Sequence, residues 1–220
     1  MSVSAQSILT RVQEKVQDDE WASLSRVLDL LNRGIMECAD RLFLPDLFVM
    51  DTITVANNSW ATAADATPAP LPGNWNKGLF SLRNTSTGLA VKTWQNPVIF
   101  EENFPAPVFG HISDVCLIGK AVAFASVPAQ GAAERLRFYY FRNPATITTT
   151  ADLIEGIPDY LAVGVLMNFI CANLYEGVEE GKDMPNRNFH FSEWQRYSTM
   201  LTDWCRLRAP QTIRNDRMRA

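Results

Sequence analysis

Residues 159–180 read DYLAVGVLMNFICANLYEGVEE, and this one segment sets the architecture. From Leu161 to Leu174 it is apolar on nearly every side, and acidic side chains arrive only at Glu176, Glu179 and Glu180. A helix that is apolar all round must be covered all round, so it belongs at the centre of a helical assembly. Pro158, behind Gly156-Ile157, suits a first turn, and Asp159 complements the positive end of the helix that follows. Its partners lie at the two ends of the sequence. Downstream, past the loop GKDMPNRN, Phe191, Trp194, Tyr197, Leu201 and Trp204 or Cys205 make one helical stripe. Upstream, Ile8, Leu9, Val12 and Val16 predict a short helix capped by Ser4 or Ser7 and closed by Asp18-Asp19-Glu20. A second helix places Trp21, Leu24, Leu28, Leu31, Ile35, Cys38 and Leu42 at steps of three and four and stops by Pro45. The predicted bundle core is therefore Trp21, Leu24, Leu28, Leu31, Ile35, Phe169, Trp194 and Leu201.

Between these helical ends the period changes to two. Ile53 and Val55 alternate with Thr52 and Thr54, VCLIGKAVAFASV reads as a hairpin turning at Gly119-Lys120, and ERLRFYYF sets Leu136, Phe138 and Tyr140 against Arg135, Arg137 and Tyr139. Most of the prolines fall here and keep the strands short. Residues 61–74, ATAADATPAPLPGN, read as an exposed loop with no packed core of its own. The fold class is α+β: a bundle of N- and C-terminal helices, an inserted antiparallel β-sandwich-like region and an extended C-terminal arm. The divisions are residues 1–46 for the first helices, 47–145 for the strand-rich insertion, 146–209 for the last helices of the same bundle and 210–220 for the arm.

A chain of 220 residues with 47% hydrophobic and 20% charged side chains buries a real core, which excludes disordered, collagenous and coiled-coil classes. A net charge of −4 argues against gripping nucleic acid over the whole surface. The charge is unevenly spread. Arg206, Arg208, Arg214, Arg217 and Arg219 face only Asp216 in the last fifteen residues, a net of +4 on a chain that otherwise carries −8. Pro210, Ile213, Arg214, Arg217, Met218 and Arg219 form a basic arm with apolar anchors, suited to ordering on an acidic partner. No charged segment precedes an apolar run at the N-terminus and no stretch spans a bilayer, so neither standard export nor membrane insertion is expected. Cys38, Cys116, Cys171 and Cys205 stand far apart among apolar neighbours and read as buried thiols.

No catalytic constellation is legible. The only histidines, His111 and His190, sit among aromatic and apolar neighbours and read as structural or surface residues. Adjacent acids such as Glu101-Glu102 point to opposite faces of an extended chain, and EEGKD lacks the ligand count of a cation loop. No enzyme activity, cofactor or metal is expected. Trp60, Trp75 and Trp94, in the loop-rich middle, are candidates for an exposed stacking platform.

Two segments carry a resemblance. DDEWASLSRVLDLLNRGIMECADRLFLPDL, residues 18–47, with its early tryptophan, a helix bearing L-N-x-G and a closing Leu-Pro, resembles the opening of phage head-to-tail adaptor (head-completion) proteins. LRFYYFRNPATITTTADLIEGIPDYLAVGVLMNFICANLYEG, residues 136–177, is similar to their aromatic strand, threonine and acid linker, and I-P start of a helix ending A-x-x-Y. Residues 48–135 match no pattern of that family. The resemblance implies a non-enzymatic virion protein in the neck between capsid and tail, assembled in the host cytoplasm. It implies a dodecameric ring beneath the portal that continues the DNA channel and offers a platform to tail or nozzle proteins. Phage DNA would pass through the lumen without specific binding, with no membrane involved. The arm from Pro210 to Ala220 would dock to the portal. The alternative is a β-sandwich module binding glycan or protein on a virion or cell surface, using Trp60, Trp75 or Trp94.

Overall fold

The computed structural model describes residues 3–17, 22–58, 60–176 and 183–208. The chain divides into two compact units, one built from the residues up to Leu47 together with those from Asn143 onward, the other from Phe48–Arg142. An α+β fold results, with helices from both ends of the sequence and a strand-rich middle.

The helical unit is organised around α4 (Asp159–Glu176), on which α1 (Ala5–Val16), α2 (Leu24–Arg41) and α5 (Met184–Arg208) all pack. Leu161, Ala162, Val165, Leu166, Ile170, Cys171 and Leu174 of α4 are buried on more than one side, as a helix without a polar face requires. Two glycines set how closely the helices approach. A Cβ at Gly34 would stand 2.8 Å from the Phe169 ring, and one at Gly164 would stand 2.5 Å from the Tyr197 ring, so α2 and α5 both meet α4 where a side chain is missing. Ser4 caps α1, its hydroxyl accepting from the Ser7 amide, and Gln17 ends the helix in the left-handed region at φ 55°.

The linker before α4 is a strap fastened by named bonds. The Asn32 side chain of α2 accepts from the Ile147 amide at 2.8 Å and donates to the Ile147 carbonyl at 2.9 Å, pairing with that residue as a neighbouring strand would. Further along, the amides of Ala5 and Gln6 donate to the carbonyls of Asp152 and Thr150, and Ile154 donates back to Val3. Asp152 itself accepts from the amides and hydroxyls of Thr148 and Thr149, which holds its carboxyl down at about 2. The threonine cluster is thus a rigid turn that ties the first helix to the linker.

Two predicted core positions and one predicted loop are corrected. Leu24 is 48% exposed and Leu28 only half-buried, while Val27, Leu30, Leu31, Gly34, Ile35, Cys38 and Ala39 form the buried stripe of α2. Strict steps of three and four drift about the axis of a straight helix, and a pattern built on large side chains passes over glycine and alanine. Trp21 lies outside the described residues, as does the acidic run after α1. The segment MPNRN belongs to α5, not to a loop: Asp183 caps it, accepting from Asn186 through its carboxylate and from Arg187 through its carbonyl, with Pro185 in the first turn.

In the second unit, β1 (Phe48–Ala56), β9 (Ala133–Arg142) and β3 (Trp75–Asn84) form an antiparallel sheet in the order β1-β9-β3. A second sheet runs β2 (Ala69–Pro70), β7 (Ala121–Phe124), β6 (Asp114–Ile118), β4 (Lys92–Trp94), with the β6–β7 hairpin turning at Gly119-Lys120. The β4–β6 pairing is parallel, and so is that of β5 (Val108–Phe109) with β8 (Ser126–Val127), where only antiparallel pairing is expected from sequence. Val55, Leu82, Leu136, Phe138 and Tyr140 of the first sheet share one core with Val115, Val122 and Phe124 of the second. Residues 61–74 also depart from expectation: Ala63 and Leu71 are buried in that core and β2 pairs with β7, so the segment is packed. A short helix, α3 (Pro97–Asn103), follows β4, with Asn96 accepting from the Val98 and Ile99 amides and Pro97 at its start. Among the described residues no helix is long and apolar enough to cross a membrane.

Candidate functional site

Within the helical unit α2, α4 and α5 enclose an open groove of about 750 Å³ lined by Cys38, Phe169, Phe191 and Trp194. Its rim is charged. Glu37 pairs with Arg41 one turn along α2, and Arg187 of α5 pairs with Glu176 of α4 at 3.3 Å. The Arg41 guanidinium also lies 5.7 Å over the Trp194 ring, which in turn leans on Phe169 with centroids 5.7 Å apart. Outside the groove α5 exposes Phe189 at 58%, Met200 at 43% and Leu207 at 77%, an apolar surface that the helical unit does not cover.

Of the predicted core residues, Leu31, Ile35, Phe169 and Leu201 are buried and Trp194 is half-buried at the groove. The predicted arm residues Pro210, Ile213, Arg214, Arg217, Met218 and Arg219 lie outside the described residues. α5 carries the chain up to that arm. Its last turn holds Arg206 beside Asp203 and Arg208 over the Trp204 ring at 5.1 Å.

His190 is buried, stacked on Tyr175, with Nδ1 2.7 Å from Asn168 Oδ1; burial and then the Lys15 charge depress its pKa, against a small opposing pull from Glu193. A neutral ring that donates Nδ1–H to Asn168 fits this geometry, and Asn168 passes the bond on to the Gly164 carbonyl at 2.7 Å. His111 is exposed and bonded to Glu134. Burial pushes the Glu134 carboxyl up, but donation from the Ile112 amide, His111 and Asn84 outweighs it and leaves the group below the usual carboxylate range. Both histidine side chains thus bond to structural partners, Asn168 and Glu134, and the cluster at Glu134 ties the segment around Ile112 to β9 and β3. The four cysteines are free and buried, and burial pushes the thiols of Cys38 and Cys171 up to about 12. Among the described residues no three His, Cys, Asp or Glu gather as metal ligands.

The three central tryptophans are not fully exposed. Each is half-buried: Trp60 and Trp75 pack on the sheet core, Trp75 donates to the Gly78 carbonyl, and Trp94 donates to Asp114 while packing on Phe100 and Phe104. Lys92 caps the Trp94 ring at 3.9 Å.

Residues that sequence reasoning passed over include Asn32 and Gly34. They are the N and G of the L-N-x-G signature, and each has a physical role in the fold, Asn32 binding the strap and Gly34 admitting the Phe169 ring.

No curated protein matches the chain. The model of the SU10 adaptor protein family matches residues 3–216, a span that takes in both compact units, the strap and the groove. With that match covering nearly its whole length, the chain belongs to the SU10 adaptor protein family of structural phage adaptors.

Proposed function

We propose that the chain is the head-to-tail adaptor of a phage particle, a non-enzymatic component of the neck that forms a dodecameric ring below the portal. The ring continues the DNA channel and presents a docking platform to tail or nozzle proteins; its subunits are made and assembled in the host cytoplasm. The observation that carries the proposal is the family match across residues 3–216, which takes in the helical unit and the strand-rich unit alike. The exposed apolar side chains of α5 supply surface that contacts between neighbouring subunits would cover. The buried side chains of Leu31, Ile35, Phe169 and Leu201, with Trp194 half-buried at the groove, hold that helix in place.

Attachment to the portal is assigned to Pro210–Ala220, with Arg214, Arg217 and Arg219 making charge-assisted hydrogen bonds to acidic grooves and Ile213 and Met218 filling apolar pockets. Ordering one arm is costly in entropy, so a single subunit binds weakly and a closed ring, with many arms acting together, binds strongly. Deleting residues 210–220 is expected to leave a folded subunit that no longer joins portal-capped heads. A truncated protein that joins them with unchanged avidity at physiological salt would move the docking surface elsewhere.

A further inference from the structure

The pleat of the three-stranded sheet sends Val55, Leu82, Leu136 and Phe138 into the core. Their neighbours in sequence therefore face outward. The register sets Thr54 opposite Arg135, and Thr52 and Arg83 on either side of Arg137, so three arginines and two threonines share one patch of the outer face. Arg83, Arg135, Thr52 and Thr54 are exposed and Arg137 is half-buried. On the same strands, Asp51 pairs with Phe138 and Glu134 is buried, which puts these acids on the inner face. The other acids of this unit, Asp65, Glu101, Glu102 and Asp114, lie on other elements. None of the three guanidinium groups has a hydrogen-bond or ion-pair partner among the described residues. Like charges side by side across strands repel and destabilise a sheet. No acid on this face offsets that repulsion, so an anion bound from outside would relieve it.

We propose that this face of β1-β9-β3 is a contact surface for the phosphate backbone of duplex nucleic acid, centred on Arg83, Arg135 and Arg137. Arg135 and Arg137 stand two residues apart, roughly 7 Å along β9, and Arg83 is one strand away, roughly 5 Å. Each strand of a duplex carries a phosphate about every 3.4 Å of rise, so a flat patch of this size meets two or three of them. The threonine hydroxyls beside the arginines are the donors that phosphate oxygens accept from. The register spreads the three arginines over two strands and two positions of β9, a spacing that a regular row of phosphates matches; an acidic protein segment is the competing occupant. The unit that carries them holds seven Lys and Arg against six Asp and Glu, in a chain whose net charge is −4, so outside the basic C-terminal residues this sheet is a favourable place for a polyanion. The contact is to phosphate and carries no sequence preference, which suits a duplex that slides past. It stands on the sheet alone: its failure with ring assembly intact would leave the adaptor reading untouched.

The test is fluorescence anisotropy of a labelled 20-base-pair duplex with the full chain, from about 25 to 200 mM salt, a range in which phosphate contacts lose most of their affinity. The triple variant R83Q/R135Q/R137Q is compared with wild type; the C-terminal arginines are present in both, so the difference reports the sheet. The variant is expected to bind at least tenfold more weakly at the lowest salt, with the slope of log K against log salt shallower by about 2–3, near 0.9 for each lost phosphate contact. R83K/R135K/R137K is expected to bind within about threefold of wild type, as phosphate contacts permit. Equal affinity and slope in the Gln variant would overturn the proposal. So would tighter binding of polyglutamate than of duplex at matched charge, with polyglutamate binding lost in the Gln variant, because the face would then belong to an acidic protein. Should the Gln variant fail to fold, photocrosslinking of wild type to the duplex decides: adducts on β3 or β9 support the proposal, and adducts confined to residues after 206 refute it.

Discussion

Replacing Asn32 by Ala isolates the strap that joins the linker to the bundle. The amide makes three bonds, to the Leu28 carbonyl at 3.0 Å and to both backbone groups of Ile147 at 2.8 and 2.9 Å. Ile147 is 4% exposed, so water reaches its freed groups poorly. A buried backbone group left bare costs about 1–3 kcal/mol, and two are left here, which places the loss at about 2–4 kcal/mol after partial relaxation. Asn32→Asp fares no better at neutral pH, because a carboxylate would face the Leu28 and Ile147 carbonyls with no proton to donate. Urea unfolding followed by circular dichroism gives the free energy, and hydrogen exchange at the Ile147 amide gives the local effect, which should be faster by at least tenfold. A loss under about 0.5 kcal/mol with unchanged exchange at Ile147 would refute the strap.

Three further outcomes follow from the packing and the titratable groups. Gly34→Ala places a methyl group 2.8 Å from the Phe169 ring and is expected to cost about 1–3 kcal/mol; a neutral result in urea unfolding would mean that α2 and α4 do not meet there. Leu31→Ala and Phe169→Ala should each cost about 2–5 kcal/mol by the same assay, and losses under about 0.5 kcal/mol would show that the helices do not pack together. His190 has its pKa depressed by burial and then by Lys15, so the unfolded chain takes up its proton first as pH falls. Its contribution is complete above the ordinary imidazole range and is lost as pH drops below it, so wild type should lose stability between pH 7.5 and 5 more steeply than His190→Gln; equal slopes in the two proteins would exclude His190 as the source.

What sequence makes legible here, and what it hides, follows from side-chain size and distance along the chain. The central position of α4 is readable because no face of it is polar, and the alternation in β9 is readable because Arg135, Arg137 and Tyr139 separate Leu136, Phe138 and Tyr140. Gly34 and Ala39 are buried on α2, yet a search for large apolar residues weights neither, and it draws Leu24 into a stripe from which the structure excludes it. Asn96-Pro97 and Asp183-Met184-Pro185 are cap and first-turn signals that open α3 and α5, but prolines near loops read first as breakers. The Asn32–Ile147 pair joins residues 115 apart, and the outer-face arginines come together only through the register of β1, β9 and β3. One sequence carries no record of either pairing. The basic arm is visible from charge alone, and what it holds is decided by binding.

Native mass spectrometry of the full chain, alone and mixed with purified portal, tests the adaptor assignment most directly. With portal, the chain is expected to appear as a closed complex of twelve copies on the portal ring. A chain that remains a single subunit in the presence of portal, with its helical and β signals intact, would contradict the assignment.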